Sequence, residues 1–148
     1  MIDLKPQTEP YDLELSYGIA VTVQPLTTAG MLAAQAAARK AADREIREAK
    51  ITPDQEIRDG LYQAHLIYEL AARHITALKG VGIDGAKAPA TPENIRAVMD
   101  LYPVGERFYQ EFTLQQLILN ASKNVSRPSA SGTSKKAAGR DIAKDAGI

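Results

Sequence analysis

The chain contains no cysteine and no tryptophan, and aromatic residues make up only 5% of its 148 positions. Without cysteine there are no disulfides, no thiol nucleophile and no thiolate-bound metal. With so few aromatics, the core has to be built from Leu, Ile, Val and many alanines. Alanine-rich helices bury little area each, so modest stability is expected unless a partner covers some apolar surface. No apolar run approaches the roughly 18–20 residues of a membrane span, and the acidic, polar N-terminus does not read as a signal peptide. The expected compartment is the cytoplasm. Net charge is zero.

Catalytic constellations are missing as well. His65 and His74 lie on one helical stretch, nine positions apart. At about 100° per residue they point to opposite sides and cannot share a metal. His65 and Glu69 stand at i and i+4, but two candidate ligands do not make a site, and His65 reads as a helix-surface histidine. Gly80-Val81-Gly82-Ile83-Asp84-Gly85 matches the letters G-x-G-x-x-G. The dinucleotide fingerprint needs a strand before it and a helix opening within it. Here the pattern predicts a helix before it and a new cap after it, so the stretch reads as a helix stop followed by an Asp-Gly turn. The serines cluster in the tail, where nothing would hold a triad. The chain is therefore expected to be no enzyme and to carry neither cofactor nor metal.

What is present is hydrophobic content of 45% with 24% charged residues, the balance of a globular protein. Its longest pattern runs from Thr52 to Leu78. Thr52-Pro53-Asp54-Gln55 reads as an N-cap threonine, a proline at the first helical position and a capping-box glutamine. Ile57, Leu61, Ala64, Tyr68, Ala71, Ile75 and Leu78 then recur at spacings of four and three, one apolar stripe along a helix. Leu61 and Ile75 are expected in the core.

Before that helix, Leu13 and Leu15, then Ile19, Val21 and Val23, alternate with other residues on either side of Tyr17-Gly18, predicting a β-hairpin over 11–24. A lone hairpin is marginal in water, so it must lie on the helices or accept a strand from another chain at its edge. Thr27 or Thr28 caps an alanine-rich helix to residue 50, whose charged side (Arg39, Asp43, Arg44, Arg47, Glu48) reads as a solvated face. Thr91-Pro92-Glu93 opens a third helix over 92–102. Beyond Pro103 a last one over 104–122 carries Val104, Phe108, Phe112 and Leu119 on one face. The fold class that follows is mainly α with a small N-terminal β-hairpin (α+β). It comprises a flexible arm over 1–10, a single four-helix domain over 11–122 and a disordered basic tail over 123–148. From Ala121 onward there are six basic residues against two acidic, a net +4 that leaves −4 on the rest. With no aromatic residue to stack on bases, this favours a solvated tail over a nucleic-acid contact.

Several stretches, taken in order, resemble the small tail assembly chaperones of tailed bacteriophages and related prophages. They are Val21-Thr22-Val23-Gln24-Pro25-Leu26-Thr27-Thr28 ahead of an alanine-rich helix, Lys79-Gly80-Val81 with Asp84-Gly85, and Thr91-Pro92-Glu93. The Phe108 and Phe112 region follows, then Lys123-Asn124 leading to Pro128-Ser129 and Gly132-Thr133-Ser134. Leu78 stands where the family pattern has a tryptophan, and Ser122 where a glutamate commonly precedes Lys-Asn. The resemblance implies transient binding of tail tube and tape-measure proteins during tail morphogenesis in the host bacterial cytoplasm. It also implies a longer product made by ribosomal frameshifting near the end of the reading frame. The codons of Lys135-Lys136 can form an A-rich slippery run, although tail composition alone accounts for that dipeptide. The candidate partner-binding residues are Ile19, Val21 and Val23 on the hairpin with Phe108 and Phe112 on the last helix. A homo-oligomer is one further arrangement compatible with the apolar stripes. The alternative function is a structural virion component, a neck, connector or minor tail protein.

Overall fold

The computed structural model describes residues 8–125, with side chains described for 8–114. By contacts, Gln7–Leu114 forms one compact unit, and the described residues from Gln115 to Val125 fall outside it. The sheet, core and clefts below all belong to that unit. Residues 1–7 of the expected arm, and all but Lys123–Val125 of the expected tail, lie outside the described residues.

The expected hairpin is present as strands β1 (Tyr11–Glu14) and β2 (Ala20–Val23), joined through a short 3-10 turn at Ser16–Gly18. It is followed by helices α1 (Thr28–Ala49) and α2 (Gln55–His74) and a third strand, β3 (Ile75–Lys79). Two short strands, β4 (Gly82–Ile83) and β5 (Ala86–Lys87), precede α3 (Pro92–Met99) and α4 (Val104–Val125). The sheet order is β1-β2-β3, antiparallel throughout. Among the described residues no helix is long and apolar enough to cross a membrane.

The third strand corrects the reading of Thr52–Leu78 as one helix. Ile75 and Leu78 belong to β3, where Leu78 faces Val21 and Ile75 faces Val23. The ladder slips between Thr22 and Val23, so β3 carries one residue more than β2 over the same span. Such a bulge breaks strict alternation. Ile75 and Leu78, three apart, are therefore both buried, at 6% and 2% exposed. A spacing of three is also what a helix face shows, and the local pattern cannot tell the two apart. Pairing decides it: the Gln24 amide donates to the carbonyl of His74 at 2.9 Å, drawing the chain onto β2 at the helix end. Gly80 consequently ends a strand rather than a helix. The Asp84-Gly85 turn survives as the tip of the β4-β5 hairpin, both residues at positive φ, 51° and 80°.

The start of α2 is corrected too. Asp54, not Thr52, is the N-cap, its carboxylate accepting from the Ile57 amide at 3.0 Å. The same Thr-Pro device does work at α3, where Thr91 accepts from the Asn94 amide and Pro92 occupies the first turn. After Thr52-Pro53 a better acceptor stands one residue further on, and the helix starts there. Thr27 caps α1 through the Gly30 amide at 3.0 Å. Leu61 is only half-buried and Ile57 is 51% exposed, so the first turns of α2 lie outside the core.

The core fills the space between one face of the sheet and the helices. Leu13, Val21, Val23 and Leu78 from the strands meet Leu66, Leu70 and Ala71 of α2 and Ala34 and Ala38 of α1. Ile95, Val98 and Met99 of α3 and Val104, Phe108 and Phe112 of α4 complete it. On the opposite face of the sheet, Asp12 accepts from Thr22 and from Lys79, both at 2.6 Å, which ties all three strands together.

Candidate functional site

A cleft of about 450 Å³ opens where α1, α2 and α3 meet. Its walls carry Arg44, Glu45 and Glu48 from α1, His65, Tyr68 and Glu69 from α2, and Arg96 from α3. His65 is not the surface residue that its helical position suggested. It is 8% exposed, and its Nε2–H donates to Glu45 Oε2 at 2.5 Å, linking α2 to α1. Glu69, the partner suggested by i, i+4 spacing, pairs instead with Arg73 at 3.3 Å. The Arg96 guanidinium lies 4.0 Å from the Tyr68 ring centroid, and the Tyr68 hydroxyl donates to the Asp100 carboxylate. Burial, followed by that carboxylate, raises the Tyr68 pKa, so the phenol stays a neutral donor.

A Glu–His pair is half of a base relay, but among the described residues the cleft walls bring no serine, threonine or cysteine to it. Among the described residues no group of three or more His, Asp and Glu could hold a metal. The arrangement works as a polar latch between two helices.

His74 is also buried, at 7% exposed. Its Nδ1–H donates to the Leu70 carbonyl at 2.8 Å, and its ring packs on Phe112 with centroids 4.9 Å apart. Nε2 then faces the backbone of Gly30, where an added Cβ would come within 3.2 Å of it. Both histidines are built into the core, because a one-helix view cannot show that α1 covers one and α1 with α4 covers the other.

The five residues expected to meet a partner are all interior. Ile19 is 5% exposed, and Val21, Val23, Phe108 and Phe112 are each 0%. Strand β2 is the centre of its sheet, paired on both sides, and so has no free edge to offer. Phe108 and Phe112 stack on one another with centroids 5.2 Å apart. Their side chains hold the body together; the surface available to other molecules lies elsewhere.

That surface includes large apolar side chains in three places. Leu32 stands outward on α1, and Ile51 and Ile57 flank the turn between α1 and α2. Tyr17, Leu101 and Tyr102 form the third group, at 71%, 49% and 79% exposed, the Tyr17 hydroxyl donating to the Tyr102 carbonyl at 3.0 Å. The sequence pattern marks Tyr17 only as a turn residue and puts Tyr102 at the end of the third helix, which in the structure stops at Met99. The available signal was their number: two of only six tyrosines stand beside a turn glycine and a chain-breaking proline.

The fold thus defines an α+β protein with a small antiparallel sheet backed by four helices. No protein-family model, curated protein or solved structure matches the chain.

Proposed function

We propose that the chain is a tail assembly chaperone of a tailed phage or prophage, binding tail tube or tape-measure subunits transiently in the host bacterial cytoplasm. The observation that carries this reading is the ordered series of short motifs, from Val21–Thr28 to Gly132–Ser134, described above. The surface supports it: Leu32, Ile51, Ile57, Leu101 and Tyr102 leave apolar area open on a small helical body. Reversible cover for apolar subunits requires such area. The described structure contributes rigid helices and apolar side chains, and no step of the proposed role calls for bond chemistry.

The test is co-expression with the tail tube and tape-measure proteins of the phage or prophage that carries the gene. The chain should keep one or both soluble and co-purify with them, deletion of its gene should leave heads without tails, and finished particles should lack it. Stoichiometric presence in purified particles would replace this reading with that of a neck, connector or minor tail protein.

A further inference from the structure

Tyr17 and Tyr102 present the most exposed large apolar side chains among the described residues, and they are held together. Tyr17 occupies left-handed backbone, φ 62° and ψ 27°, inside the turn between β1 and β2. That conformation is disfavoured for a non-glycine residue, and such strain concentrates at functional surfaces. Its hydroxyl reaches the carbonyl of Tyr102 in the loop between α3 and α4, so one strained residue aligns two distant loops. In a chain with six tyrosines, this places a third of them outward at one spot. Solvation gains nothing from that placement, whereas tyrosine is a preferred anchor at protein interfaces.

Beside Tyr102 lies a recess of about 140 Å³ between α2, α3 and α4. Ala64, Ile67, Met99 and Leu101 give it an apolar lining, and among the described residues the charged groups on its wall are the carboxylates of Asp100 and Glu106. The exposed Tyr102 ring and two carboxylates on the wall of an apolar hollow, with Tyr17 tied to the Tyr102 backbone, favour one kind of occupant. An aliphatic side chain fills the hollow, while a neighbouring guanidinium or ammonium lies over a ring and near a carboxylate.

We infer that the Tyr17–Tyr102 surface docks an apolar segment bearing arginine or lysine on a partner protein. In the proposed role this is the client-binding surface, and the identity of the client rests on that role. The chemistry of the surface does not.

The experiment uses the isotope-labelled full chain and a synthetic peptide, SRLIRLKS. Its comparators are the acidic SELIELES and the apolar-depleted SRGGRGKS. The basic apolar peptide should shift the resonances of Tyr17, Leu101, Tyr102 and Glu106, and both comparators should bind at least about tenfold more weakly, the effect of losing one anchor. Tyr102→Ser, Glu106→Lys and Tyr17→Gly should each weaken binding by a similar factor, the last while relieving the turn. Leu32→Ser should leave it unchanged. Equal binding of the acidic peptide, shifts centred elsewhere, or unchanged affinity in all three variants would overturn the inference. A dimer dissolved by Tyr102→Ser would assign the surface to a second copy, and shifts of residues 126–148 in Tyr102→Ser without peptide would assign it to the chain's own tail. Either result also overturns the partner assignment. If Tyr102→Ser keeps tail subunits soluble as well as the parent does, the docking site falls and the chaperone role stands. If the peptide binds as described but no tail subunit is retained, the role falls and the site stands.

Discussion

Gly80 and Gly18 pass so close that a Cβ on Gly80 would lie 2.4 Å from the Gly18 carbonyl oxygen. Both have positive φ, 75° and 72°, and the contact locks the end of β3 against the turn between β1 and β2. Gly80→Ala therefore adds a backbone clash to an unfavourable φ and should cost about 2–4 kcal/mol. Nothing lies within 4 Å of a Cβ at Gly18, so Gly18→Ala should cost only about 1 kcal/mol. Urea denaturation of the two variants reads the difference, and equal midpoints would mean that the close approach is absent in solution.

The apolar stripe of α2 and β3 should divide sharply on mutation. Leu78 is 2% exposed in the core, and Leu78→Ala should cost about 2–5 kcal/mol. Ile57, 51% exposed on the same sequence pattern, should tolerate Ser within about 0.5 kcal/mol. Leu61→Ala, half-buried, should fall between them. A large loss at Ile57 would show that the α1–α2 turn is packed against something.

Capping distinguishes Thr52 from Asp54. Asp54→Ala removes the acceptor for the Ile57 amide and should cost about 0.5–2 kcal/mol, whereas Thr52→Ala should be close to neutral. Thermal or urea unfolding is sufficient, and the reverse ranking would restore the helix start at Pro53.

Acid should loosen the core at His74. Burial holds its imidazole pKa below the ordinary 6.5, with the Arg73 charge adding to that and the Leu70 hydrogen bond opposing it. The unfolded chain therefore takes up a proton more readily than the folded one. The contribution of neutral His74 to stability is complete above about pH 6.5 and is lost as the pH falls below it. The His74 ring resonance should titrate with a midpoint under 6.5, and His74→Gln should flatten the fall of the urea midpoint over that window. A titration at or above 6.5 would show that the ring is solvated.

Periodicity and capping chemistry alone determined that there are four helices and placed the first two strands. Thr27 and Thr91 stand at caps where a local hydroxyl meets a local amide, and the alternation from Leu13 to Val23 is visible because β1 and β2 are sequence neighbours. Tertiary pairing decided the rest. Residues 75–79 carry apolar spacing that a helix and a bulged strand share, and only hydrogen bonds to Thr22 and its neighbours, more than fifty positions away, choose the strand. The same pairing places β2 at the sheet centre, which turns Ile19, Val21 and Val23 from an offered edge into core. Partners distant in sequence likewise bury His65 beside Glu45 and hold Tyr17 against Tyr102. Local patterns encode which backbone a segment prefers and which of its faces is apolar. What covers that face depends on which other segment arrives there, because burial is a property of the pair.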